Sequence, residues 1–149
     1  MQSIQNALAR SVTKSPKFSH ITPILKSLHW LKITERIQYK IITLTYNSLH
    51  SSKPLYLRKL ITPQPSRSTR SSSYLTLLRP LNQSSLKICN RAFSYAAPQL
   101  WNSIPTSLRC INHKLITNSD PPFPSILAPS PQIFRSKLKT FLFQKSFPP

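Results

Sequence analysis

Residues 91–105, RAFSYAAPQLWNSIP, limit the folds open to this chain more than any other stretch. Phe93, Tyr95, Leu100, Trp101 and Ile104 crowd together here, in a protein whose aromatic content is 9%. Rings of that size must bury against something, so neighbouring segments are expected to converge on this stretch. Asn102 and Ser103 read as turn or cap formers, and Pro105 stops whatever precedes it. A helix is expected around residues 92–101, perturbed by Pro98.

Three further helices follow from apolar spacing. In residues 3–13, Ile4, Ala7, Leu8 and Val12 share a face opposite Arg10 and Lys14. Thr22 is placed to cap a helix with Pro23 at its first position, carrying Ile24, Leu25, Leu28 and Leu31. The strongest periodicity runs over 34–50, with Thr34 as N-cap and Glu35 where the positive helix end favours an anion. Its apolar residues cover more than half the circumference, which predicts contacts on several sides. Only Arg36, Lys40, Thr43 and Asn47 form a polar strip. Pro54 opens a short helix through Ile61.

The remainder is less regular. Residues 62–73, TPQPSRSTRSSS, are too polar to form a core and read as an exposed loop. Residues 74–78 are a strand candidate that can pair with 86–89 in one short β-hairpin. Residues 110–132 hold five prolines between Pro121 and Pro131 and read as an extended linker. A last helix, 133–145, sets Phe134, Leu138, Phe141 and Leu142 on one arc. Trp101 is expected to be buried there, holding this helix to that of residues 34–50.

The aromatic stretch is also a motif. R-A-F-S-x-A-A-P-x-L-W-N-S-[IL]-P resembles a motif in the C-terminal tail of LINE-type (non-LTR) retrotransposon reverse transcriptases. Upstream, Gln5-Asn6-Ala7-Leu8-Ala9-Arg10, His20-Ile21-Thr22-Pro23, Leu28-His29-Trp30-Leu31, Thr43-Leu44-Thr45-Tyr46 and Pro54-Leu55-Tyr56-Leu57 are similar to the same tail, in order. So are Ser66-Arg67-Ser68-Thr69-Arg70-Ser71-Ser72 and, downstream, the closing run from Phe134 to Phe143. The resemblance covers nearly the whole chain outside 110–131. It implies a tail that follows the polymerase domain and lies outside its active site. It also implies packing against other parts of a reverse transcriptase. The glycine expected before the Asn90-Arg91-Ala92-Phe93 run is Cys89 here, and Ser51-Ser52 occupy the turn after His50, so two easy φ > 0 positions are lost.

The charge has two readings. Lys and Arg number 21 against two acids, Glu35 and Asp120, a net charge of +19 that draws the chain to polyanions. Yet Gly is absent, where ordinary usage of about 7% would give roughly ten. Val, Asp and Glu occur once each, and all these residues have codons that begin with G. A G-poor coding strand therefore competes with function as the source of the charge.

Inventory argues against catalysis. Phosphoryl transfer by two metals needs clustered carboxylates, and the two acids lie far apart in sequence. A phosphate-cradling loop needs glycine. The polymerase signature of the parent family is missing. Cys110 and His113, with Cys89, have only a thin case as metal ligands, and no cofactor is expected. His20, His29 and His50 read as capping or packing residues. With no secretory signal, an intracellular setting, nuclear or cytoplasmic, is the default. A basic, acid-free start also fits mitochondrial targeting. No run approaches the ~18 apolar residues of a membrane span.

Nucleic-acid contact has the best case. Arg67 and Arg70 lie on a Ser/Thr-rich loop, Arg36 and Lys40 on one helix face, and Lys137 and Lys139 along another. With the aromatics committed to a core, at most backbone binding to RNA or DNA without sequence preference is expected, the alternative being a non-functional, partly disordered remnant or an orphaned protein-interaction segment. The competing reading is that these cations are solvated helix faces. The fold expected is mainly α: a small, partly disordered helical domain with one short hairpin. Its divisions are 1–109 (helical, with Phe93, Leu100, Trp101, Asn102 and Pro105 as structural motif), 110–132 (linker) and 133–149 (basic amphipathic helix).

Overall fold

The computed structural model describes residues 1–51, 54–64, 74–81, 91–109 and 129–148. The protein is mainly helical, with six α-helices among the described residues. The chain divides into two compact units. The first comprises Met1–Lys40 with Ser136–Pro149, and the second is Ile41–Arg135. The expected linker falls largely outside the described residues.

The first unit begins with α1, Gln2–Thr13. Its orientation is not the one hydropathy alone would select. Gln5 and Ala9 are buried, while Ile4, Leu8 and Val12 are exposed. Hydrogen bonds account for the reversal. The Gln5 amide donates to the Leu31 carbonyl at 2.7 Å, and the Gln2 amide oxygen accepts the Ile33 N–H at 2.9 Å. Arg10 donates to the Ser19 carbonyl at 3.1 Å. Polar groups thus have partners on the inward side, and Ala9 fits against Ile24, Leu25 and Phe147 in the apolar cluster.

The helix stops at Lys14, whose φ of 52° is left-handed. The Lys14 and Ser15 N–H groups donate back to Ser11 and Arg10, closing the last turn. Glycine normally takes this position, because a Cβ there meets the backbone. Replacing Lys14 by Gly is expected to raise stability by on the order of 1 kcal/mol. Chemical denaturation measures this, and an unchanged or lower midpoint would show that the left-handed turn carries no strain.

α2, Ile21–Ser27, starts one residue before the expected cap. His20 is the N-cap and gives no side-chain bond, so Thr22 and Pro23 lie inside the first turn. Pro23 is tolerated because N–H groups of the first turn have no helical acceptor anyway. α3, Ile33–His50, likewise starts before Thr34, and Glu35 stands in its first turn. The Ile33 N–H is satisfied by Gln2 across the fold, so Thr34 is not needed as a cap. His29 also has positive φ, 53°, and its ring stacks on Phe143 at 5.6 Å.

The second unit holds α3 from Ile41, the short α4, Leu55–Lys59, and α5, Phe93–Ser103. α5 runs through Pro98, which is itself buried. A 3₁₀ turn, Thr106–Leu108, follows Pro105. α6, Pro131–Ser146, gives its opening residues to this unit and the rest to the first. Tyr46, Trp101 and Phe134 form the aromatic core. The Tyr46 and Phe134 rings stack at 3.9 Å, and Trp101 lies 6.2 Å from Phe134. Burial pushes the Tyr46 phenol above its usual pKa, and its hydroxyl donates to the Pro129 carbonyl.

The expected hairpin partner of 74–78, residues 86–89, lies outside the described residues. Among the described residues there is no strand, only an isolated antiparallel bridge between Pro63 and Leu77. Gln64 N–H donates to Thr76 and Leu78 N–H to Thr62, each at 2.9 Å. Among the described residues, 74–78 bridges to the start of the stretch read as exposed loop. Asn102 helps to hold Leu77 in place. It accepts the Leu77 N–H at 3.0 Å and donates to the Leu77 carbonyl at 2.8 Å, while the Trp101 indole donates to the Leu75 carbonyl at 2.9 Å. Asn102 is thus a backbone clamp inside α5, not the turn former its neighbours suggest.

Candidate nucleic-acid interface

Helix α3 places Arg36 and Lys40 one turn apart, and both are exposed. Both belong to the first unit. Glu35 beside them is half-buried, with one carboxylate oxygen out of water and without a hydrogen bond. Thr43 and Asn47, on the part of α3 in the second unit, are half-buried. The Thr43 hydroxyl is buried without a partner, so it offers nothing to a phosphate. The accessible polar strip is shorter than the periodicity predicts.

On α6, Lys137 and Lys139 are both exposed, with the fully buried Leu138 between them. Residues two apart on a helix point about 200° apart, so these ammonium groups flank the buried stripe on opposite sides. They cannot grip one phosphate together. Arg67 and Arg70 lie outside the described residues.

Other cations have structural work. The Arg109 guanidinium is buried and lies 4.7 Å from the Tyr74 ring centroid, and its Nε has no hydrogen-bond partner. Lys32 stands over the Phe147 ring at 5.2 Å. Arg58 donates to the Ile61 carbonyl at 3.1 Å. These are cation–π and capping roles that reduce the charge free to meet a polyanion. Sequence reasoning missed Arg109, because Tyr74 is remote in the chain and nothing local sets this arginine apart.

The three core rings are not presented for stacking on bases. Trp101, Tyr46 and Phe134 are each fully buried. Phe18 and Tyr56 are exposed, on separate stretches and in different units. Of the histidines, His29 and His50 stack on Phe143 and Tyr46, and His20 occupies a cap position. Among the described residues no group of three or more His, Cys, Asp or Glu could hold a metal ion; Cys89, Cys110, His113 and Asp120 lie outside them. No described helix is long and apolar enough to cross a membrane.

The arrangement as described offers dispersed, exposed cations on helix surfaces. Such groups neutralise phosphates but cannot read base edges, which needs a shaped element in a groove. No protein-family model, curated protein or solved structure matches this chain.

Proposed function

We propose that this chain is a non-catalytic segment derived from the C-terminal region of a LINE-type reverse transcriptase, which holds RNA or DNA by its backbone without sequence preference. The exposure of Arg36, Lys40, Lys137 and Lys139, in a chain of net charge +19, carries the binding half of this reading. The ancestry rests on the resemblance of the Arg91 to Pro105 motif and its flanking pieces. Stacking contributes little, because the core rings are buried.

A second reading is supported by exposed apolar side chains on and beside α4. Leu55, Tyr56 and Leu60 are each about half exposed or more. In this reading the segment packs against other parts of a reverse transcriptase, with nucleic acid held between them.

The test is fluorescence anisotropy with a labelled DNA duplex and a structured RNA, using three double variants. These are Arg36→Gln with Lys40→Gln, Lys137→Gln with Lys139→Gln, and Arg67→Gln with Arg70→Gln. Each pair is expected to weaken both ligands in parallel and to reduce the salt slope by about 2. Binding equal to wild type in all three variants would contradict the assignment of these cations. Template-directed nucleotide incorporation by the purified chain would contradict the non-catalytic reading.

A further inference from the structure

The orientation of α1 leaves an apolar stripe facing solvent. Met1, Ile4, Leu8 and Val12 are 87%, 71%, 55% and 56% exposed. Spaced at three and four residues, they lie along one face of the helix. The orientation is fixed rather than incidental, because Gln2, Gln5 and Arg10 each make a hydrogen bond on the inward side. Beyond the helix, Phe18 is completely exposed next to Lys17, which is also exposed. Lys14 at the helix end is exposed as well, and no acidic residue precedes Glu35.

An exposed aliphatic stripe in a basic, acid-free segment has the chemistry of a helix lying in a membrane interface. We propose that α1 docks on an anionic lipid surface, the stripe entering the headgroup–acyl boundary while the positive charge of this acid-free segment, Lys14 and Lys17 included, draws it to the anionic headgroups. This does not rest on the nucleic-acid reading. Nucleic acid is a poor occupant, because sugar and phosphate gain nothing from Ile, Leu and Val. A second copy is disfavoured, since each chain carries +19. An acidic protein would match the charge. However, a single convex helix face of aliphatic residues lacks the aromatic anchors of a specific protein interface, and a bilayer demands no matching pocket.

The experiment is co-sedimentation of the full chain with phosphatidylcholine vesicles, with and without phosphatidylglycerol. Wild type is compared with the triple variant Ile4→Ser, Leu8→Ser, Val12→Ser. All charges are kept in that variant, and every substituted side chain is already exposed. Wild type is expected to bind the phosphatidylglycerol vesicles, and the variant about tenfold or more weakly. Circular dichroism and affinity for a DNA duplex should be unchanged. Equal vesicle binding by both proteins would show attraction by charge alone and overturn the proposal. So would absence of binding by wild type. Unfolding of the variant would place the stripe in a core, loss of DNA affinity would assign it to nucleic acid, and a wild-type dimer abolished by the variant would assign it to a second copy.

Discussion

Trp101→Ala is expected to cost about 3–5 kcal/mol, enough to unfold a domain of ordinary marginal stability. The indole is fully buried and stands 6.2 Å from Phe134. Its loss opens a cavity and leaves the Leu75 carbonyl without the 2.9 Å hydrogen bond it now receives. The two effects add, because collapse of the cavity cannot restore the donor. Circular dichroism melting or urea denaturation gives the difference, with the exposed Arg36→Gln as a control expected to lie within about 0.5 kcal/mol of wild type. Acrylamide quenching in a Trp30→Phe background offers a readout that needs no cooperative melt. Trp101 should be protected without nucleic acid; free quenching would contradict its place in the core.

Phe134→Ala is expected to be comparably damaging, again about 3–5 kcal/mol. Its ring lies between those of Tyr46 and Trp101, 3.9 Å from the first. Removing it strips both neighbours of a stacking partner. Those contacts supply roughly 0.5–1.5 kcal/mol each beyond area burial. Ile133 next to it is exposed, so Ile133→Ala should change stability by no more than about 0.5 kcal/mol. Equal melting of the two variants would contradict the aromatic core. A smaller loss for Phe134→Leu than for Phe134→Ala is also expected, since Leu fills more of the space.

Where helices lie was legible, and why one of them faces as it does was not. The 3.6-residue pattern of α3 and α6 put their spans within two residues of the observed ones, the ordinary uncertainty of helix ends. Periodicity ranks faces by hydropathy alone. Hydropathy alone would turn Ile4, Leu8 and Val12 inward, whereas in the fold Gln5 has an acceptor at Leu31 and Ala9 is small enough to approach its neighbours. The same blindness applies to Asn102. Its side chain reads locally as a turn former, and only the fold reveals the Leu77 backbone that it clamps. For the candidate interface, the exposure of Arg36 and Lys40, and of Lys137 and Lys139 flanking the buried Leu138, follows from their places off the buried helix faces. The burial of Arg109 against Tyr74 is a long-range event that no local pattern announces.

The ionic-strength dependence of nucleic-acid affinity tests the backbone-binding account most directly. Dispersed cations on phosphates release counterions in proportion to the contacts made, so log affinity should fall linearly with log salt. The expected result is parallel loss for a DNA duplex and a structured RNA, by at least about tenfold between roughly 50 and 200 mM salt. Affinity that holds constant across that range, or that follows one sequence and not another, would contradict it.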